Sequence, residues 1–298
     1  MRRWLAPVLA LLVPVTCPAA EVAVLKSSET PAWRPAIEAL KRGAAAHTLT
    51  EYDLKGDRAE ALRVLAELKP RSPLVVALGP LAAQVAREAA PELPLVFCMI
   101  QDPAQLGLLN VPNVSGVSFS IPIMNQLAAF RTVNPRGVRV GVIYGSEPVA
   151  KLVAEAQSRA RVLRLNIVER RVASDKEVPE ALRGMLKGSE AVDALWLPPD
   201  PLLLGDEARR FILAETLKAG KPVYAFAPAL VAEGALVSNS PDLVSVGDQA
   251  AELVGRMLGG DRTAALMVPR GELVINKKSA ERLKLEIPAD ALAQAKTY

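Results

Sequence analysis

Hydrophobic positions follow two rhythms along this chain. Short apolar runs at Val22–Leu25, Leu74–Leu78, Leu95–Ile100, Val114–Phe119, Ala194–Leu197 and Val223–Phe226 read as strands covered on both faces. Between such runs, apolar residues recur every three or four positions, the signature of helices with one buried face. The stretch from Ser72 to Pro103 shows the unit: a strand, a helix with Ala82, Val85, Ala86 and Ala89 on one side, and a second strand. This is a βαβ module, and its recurrence predicts α/β architecture with parallel, doubly wound sheets.

Taken in order, the pattern predicts two series. The first comprises strand Val22–Leu25 and a helix with Trp33, Ile37 and Leu40 inward behind Thr30 and Pro31. Strand Thr48–Leu54, helix Arg58–Leu68 with Leu62, Leu65 and Ala66 inward, the βαβ module and Val114–Phe119 complete it. That makes a sheet of about five strands, ending near Ser120. From Pro122 the alternation restarts, with helices at about Met124–Val133, Pro148–Leu163, Val178–Leu186 and Asp206–Ala219. Strands Arg139–Ile143, Asn166–Val172, Ala194–Leu197 and Val223–Phe226 lie between them, a second sheet of about four. A strand at Ala235–Asn239 and a helix at Asp242–Leu258 follow, the helix with Ala250, Leu253, Val254 and Met257 inward. Strand Glu272–Asn276 and a polar, Ala-rich tail close the chain.

With 298 residues, 51% hydrophobic and 23% charged, the chain has room for two domains of roughly 100–150 residues. Arg2-Arg3, the apolar run Trp4–Val15 and the small pair Ala19-Ala20 form a secretory signal peptide over residues 1–20, too short for a membrane span. The mature chain is expected to be soluble and periplasmic. Cys17 raises a lipid-modified N-terminus, against which Pro14 and Thr16 stand; Cys98 reads as inert core. Basic and acidic residues nearly balance, at 36 against 32, and are dispersed, which excludes a nucleic-acid footprint.

Catalysis finds little support. His47 is the single histidine and sits in a connecting stretch, so no triad base or His/Cys metal site is placed, and no phosphate-binding glycine loop occurs. The reading is of a non-enzyme without cofactors. Parallel sheets bind ligands beyond the carboxyl ends of their strands, which singles out Ser28, Gly79, Asp102, Tyr144 and Asp200, with Asn239 beside a later strand. Each has a plainer alternative. Asp102 and Asp200 precede prolines, where Asp caps its own turn; Ser28 sits in an ordinary Ser-rich turn, and Tyr144 suits a packed strand end. Trp196 reads as core and Arg34 as an exposed helix residue.

Several stretches together resemble the substrate-binding proteins of ABC importers with the type I periplasmic-binding fold, in the branch that includes aromatic-amino-acid binders. They are Glu29-x-Pro31, Leu95-Val96-Phe97 with Asp102-Pro103 and Gly107-Leu108, Asn113-Val114-Ser115-Gly116-Val117, and Val140-Gly141-Val142-Ile143-Tyr144. Asp200, Gly234-Ala235-Leu236, Gly247-x-x-Ala250-Ala251 and Leu273-Val274-Ile275-Asn276 complete the match. The resemblance implies two lobes with a hinge of three crossovers, near Ile121, Gly234 and Thr263. It assigns residues 21–120 and 236–262 to the first lobe and 121–235 and 263–298 to the second. It further implies a monomer that traps a small molecule between the lobes and hands it to an ABC permease. An amino acid's ammonium group would then meet Asp200. Pro201 and Ala227-Pro228 depart from the family's more polar pattern on that wall, which leaves room for a less polar ligand. A ligand-sensing partner of a membrane receptor with the same fold is the alternative, and a secreted hydrolase a weaker one.

Overall fold

The computed structural model describes residues 19–71, 73–188 and 191–298. The expected export segment, but for its last two residues, and Cys17 lie outside them. In chain order the strands are β1 (Glu21–Lys26), β2 (Thr48–Asp53), β3 (Leu74–Leu78), β4 (Leu95–Ile100), β5 (Val114–Ser118), β6 (Arg139–Tyr144) and β7 (Asn166–Arg171). There follow β8 (Ala194–Leu197), β9 (Val223–Ala225), β10 (Val237–Pro241), β11 (Leu266–Met267), β12 (Gly271–Ile275) and β13 (Lys296–Thr297). The helices are α1 (Arg34–Gly43), α2 (Arg58–Leu68), α3 (Pro80–Ala89), α4 (Ile123–Val133), α5 (Glu147–Ala160) and α6 (Val178–Leu186). After these come α7 (Asp206–Lys218), α8 (Pro228–Ala232), α9 (Leu243–Leu258), α10 (Lys277–Arg282) and α11 (Ala289–Gln294).

Among the described residues the strands form two sheets, ordered β11-β5-β4-β3-β1-β2 and β13-β12-β10-β9-β8-β6-β7. All pairings are parallel except β10 with β12. Successive strand residues point to opposite faces, and the apolar runs divide accordingly. On β3, Val75 and Ala77 enter the core against α2 and α3, whereas Leu74, Val76 and Leu78 enter the one beneath α1 and α9. On β6, Val140, Val142 and Tyr144 face α4 and α5, and Ile143 faces α6 and α7. Both sheets are therefore covered on both sides, as the unbroken runs require. Trp196 is buried among these residues, and burial pushes the thiol of Cys98 up to about 12.

Helix α9 closes the first lobe by packing on α1 through small residues. A Cβ on Gly247 would stand 2.1 Å from the carbonyl oxygen of Ala36, and one on Gly43 would stand 2.6 Å from the Ala251 methyl. The two backbones approach as closely as their residues allow.

Four expectations shift. In α2 the buried stripe is Ala61, Val64, Leu65 and Leu68, which leaves Leu62 42% exposed and Ala66 at the surface. Both sheets exceed the expected strand numbers, because β11 extends the first and β10, β12 and β13 extend the second. The closing tail folds into α10, α11 and β13. The crossovers expected near Gly234 and Thr263 lie later, since β10 pairs with β9 in the second sheet and β11 with β5 in the first. The chain crosses after Ser118, at Asp242 and between Met267 and Gly271.

These crossings fix which edges of the sheets meet. Parallel strands β5, β10 and β11 each leave their sheet at its carboxyl edge. From β5 the chain enters α4, whose Asn125 carbonyl accepts a 3.3 Å hydrogen bond from Asn239 near the carboxyl end of β10. β11 leads into β12, whose first residue, Gly271, pairs with Pro241 at the last of β10. The carboxyl edges of both sheets thus share one side of the hinge. Within it, Asp242 donates its N–H to the Arg270 carbonyl at 2.9 Å, and Arg270 donates to Ser245 Oγ at 3.2 Å.

Candidate functional site

In each lobe the strand order reverses once, and the crevice between the two diverging strands is where a doubly wound sheet receives its ligand. In the first sheet the reversal falls between β1 and β3, and in the second between β6 and β8. Ser28 and Gly79 stand at the first of these points, Tyr144 and Asp200 at the second.

At the first point the loop after β1 is fastened to the start of α3. Ser27 donates its N–H to the Leu78 carbonyl at 2.9 Å, and its hydroxyl accepts the Ala82 N–H at 3.0 Å. Gly79 caps α3 with φ of 91°, and a Cβ there would reach Ser27 Oγ at 2.8 Å and the Trp33 ring at 3.0 Å. Only glycine fits both the left-handed backbone and the space. Ser28 is half-buried beside it, with its carbonyl accepting from the Thr30 hydroxyl at 3.4 Å.

Lys26, the last residue of β1, is 9% exposed and is held by Glu29 and, at 3.1 Å, by Glu51. The hydrogen bond that Lys26 donates to Glu29 is the main force raising the Lys26 pKa, and it and Glu51 outweigh burial, so the ammonium stays charged. Glu51 also pairs with Lys41 of α1, which chiefly lowers its own pKa. A ladder of alternating charges therefore runs from the cleft mouth along β2 to α1.

At the second point Asp200 is fully buried, at 0% exposure. Its Oδ2 accepts the N–H of Gly145 at 2.9 Å, the N–H of Ser146 at 2.8 Å and the Ser146 hydroxyl at 2.9 Å; Oδ1 accepts the Leu202 N–H at 3.1 Å. Burial pushes its pKa up, but the donors from Ser146, Gly145 and Leu202 outweigh it and hold it below the ordinary 3.8. Tyr144 is 7% exposed, its ring inside the apolar cluster and its hydroxyl donating to Glu169 at 2.6 Å.

The remaining two expected residues lie off the switch points. Asp102 is exposed after β4, and its Oδ1 accepts the N–H groups of Ala104 and Gln105 at 3.1 and 3.2 Å, a turn closed on itself. Asn239 lies on the hinge, over Gly271 and bonded to Asn125. The sequence reading passed over Lys26, Trp33 and Ser146 as site residues. A lysine closing an otherwise apolar strand was the available signal for the first. A concavity of about 480 Å³ between Arg209, Leu213, Leu217, Glu233, Ser279 and Arg282 lies elsewhere. Gly234 in its lining precedes β10, and α10 follows antiparallel β12, so it opens at the opposite edge of the second sheet.

Two α/β lobes with one hinge and carboxyl edges turned to a common side define a solute-binding protein of the type I periplasmic-binding fold. The family described as ABC transporter substrate binding protein matches residues 21–298, and the chain belongs to that family. Its members bind solutes and are not enzymes. A curated relative, a tyrosine-binding protein of Clostridioides difficile, is 26% identical over 236 residues, covering 75% of this chain and 67% of its own. A Streptococcus pneumonia ABC domain solved in complex with L-Trp matches with a TM-score of 0.64 at 24% identity, covering 94% of this chain and 99% of that one. A ligand-free, open substrate-binding protein with adhesive properties from Clostridium difficile matches with a TM-score of 0.82 at 18% identity, with the same coverage.

Proposed function

We propose that this protein is the extracytoplasmic receptor of an ABC importer, capturing an amino acid with an aromatic side chain between its lobes and presenting it to a membrane permease. The observation that carries this reading is the pair of strand-order reversals, at β1/β3 and β6/β8, opening on the side where three crossings join the lobes. Ser28 and Gly79 form the first wall and Tyr144 with the loop 145–146 the second. Asp200 supports that loop from beneath, and Asp102 and Asn239 flank the opening. The tyrosine-binding relative and the L-Trp complex support the ligand class. The higher TM-score to the open, ligand-free relative supports a receptor waiting to close. The Arg-Arg start, apolar run and small residues of positions 1–20 support delivery to the periplasm.

Closure follows from contact with both lobes, since a ligand touching both binds the closed form better than the open one. The test is a thermal-shift screen of the exported chain with L-tyrosine, L-tryptophan and other amino acids, followed by small-angle scattering. At a hundred times Kd a ligand adds about 2.7 kcal/mol to the folded state, so melting should rise clearly and the radius of gyration should fall. No stabilisation by any aromatic amino acid, or stabilisation without compaction, overturns the reading.

A further inference from the structure

We propose that Glu29 is the counter-ion for a positively charged amino group on the captured solute. This rests on the proposed capture of a solute between the lobes and names the chemistry of its first wall. A carboxylate that meets an incoming ammonium must stand at a strand-order reversal, face solvent before the ligand arrives, and keep an acceptor unfilled.

The acids near the carboxyl edges sort clearly by these conditions. Asp200 is sequestered and both its oxygens are engaged by protein donors. Asp53 and Asp57 hold the N–H groups of Lys55 and Ala59, and Asp102 closes its own turn beyond β4, away from the reversal. In the second lobe, Glu169 takes the Tyr144 hydroxyl and Glu147 pairs with Arg171 at 3.1 Å. Glu29 and Glu147 each stand three residues past a strand at a reversal and are held through Oε2, but Glu147 is matched by the single charge of Arg171, whereas the lysine that holds Glu29 is shared with Glu51. The Glu29 side chain is 60% exposed, and it is tethered to Lys26 through Oε2, leaving Oε1 for a ligand.

The tether matters for two reasons. Lys26 is nearly buried and shared with Glu51, so Glu29, Lys26 and Glu51 together carry one net negative charge, with Lys41 compensating only on the far side of Glu51. The tether also fixes a long side chain before binding, which removes part of the ordering cost a free glutamate would pay. Beside it, the half-buried Trp33 ring flanks Gly79 in the same crevice, offering an aromatic face to the solute's body or its cation. The solute class is thus a primary amine or amino acid with an apolar or aromatic body.

Titration calorimetry on the full mature chain tests this, comparing wild type and Glu29→Gln with L-tyrosine, L-tryptophan, tyramine and 3-(4-hydroxyphenyl)propionate, which lacks the amine. Glu29→Gln should weaken the three amine-bearing compounds at least tenfold, leave the des-amino acid unchanged, and melt at the wild-type temperature. Equal binding of L-tyrosine by wild type and variant overturns the assignment while leaving the receptor reading intact. Wild-type preference for the des-amino acid over L-tyrosine does the same. Wild type that binds none of the four overturns both.

Discussion

Asp200 Oδ2 accepts both the backbone N–H and the hydroxyl of Ser146, at 2.8 and 2.9 Å, so the exits of β8 and β6 are pinned together by one buried carboxylate. Gly145 and Leu202 add two more donors to the same group. An acid in this setting organises a wall, and its energy is spent within the protein.

Asp200→Ala should therefore destabilise the empty protein. It strands buried donors on the loop after β6, each costing about 1–3 kcal/mol when unpaired, less what water regains in the space left. A net loss of about 2–4 kcal/mol is expected, seen in urea unfolding or as a melting point lowered by roughly 5–15 °C. An unchanged melting point would mean the carboxylate is free for other work.

The pH dependence follows from the sign of the shift. The folded pKa of Asp200 lies below its ordinary 3.8, so the carboxylate's contribution is complete above that value and disappears as pH falls through the folded pKa. The stability gap between wild type and Asp200→Asn should be flat from pH 5 to 7 and narrow only below about 3.8. Comparing the two proteins cancels other acids, Glu51 among them. A gap that closes between pH 5 and 7 would show that burial, and not the four donors, dominates.

Much of this architecture was legible because apolar runs report burial directly. Leu74–Leu78, Ala194–Leu197 and Val178–Leu186 form the elements expected of them, residue for residue. β11 and β13 were not legible, since two-residue strands carry no period and exist only because a neighbour's edge is open to them. Leu62 misled because one leucine beside the Ala61, Val64, Leu65 and Leu68 stripe looks as apolar as its members. For the candidate site, strand ends marked the loops of Ser28, Gly79, Tyr144 and Asp200, which lie at the two strand-order reversals. Whether a side chain there faces a ligand or its own fold depends on partners 54 and 55 residues away, such as Ser146 and Gly145 for Asp200, which no local pattern encodes.

Two glycines of α9 should respond oppositely to the same change. Gly247→Ala places a methyl 2.1 Å from the Ala36 carbonyl oxygen, a backbone atom that cannot swing aside, so α9 must move off α1. A loss of about 1–3 kcal/mol is expected from this overpacking. Gly255 lies on the exposed side of the helix with nothing within 4 Å of a built Cβ, and Gly255→Ala should gain about 0.5–1 kcal/mol from helix propensity alone. Equal effects in urea unfolding would show that the α1–α9 contact is looser than the backbone positions require.

Tyr144 separates the ring's role from the hydroxyl's. The ring packs with Val140, Val142 and Val149 in the second lobe, and the hydroxyl donates to exposed Glu169, which, with burial, holds the phenol's pKa above its ordinary 10.0. Because that hydroxyl already has an acceptor, Tyr144→Phe removes one bond whose carboxylate partner water can rehydrate, at a cost of about 0.5–1.5 kcal/mol. The ring and the loop after β6 keep their shape, so under the proposed function affinity for an aromatic amino acid measured by calorimetry should change by no more than about twofold, within about 0.4 kcal/mol. Tyr144→Ala removes the ring as well and should cost about 3–5 kcal/mol of stability, as for other large buried aromatics, with affinity falling alongside. A tenfold loss of affinity in Tyr144→Phe would instead show that closure turns the hydroxyl from Glu169 to the ligand.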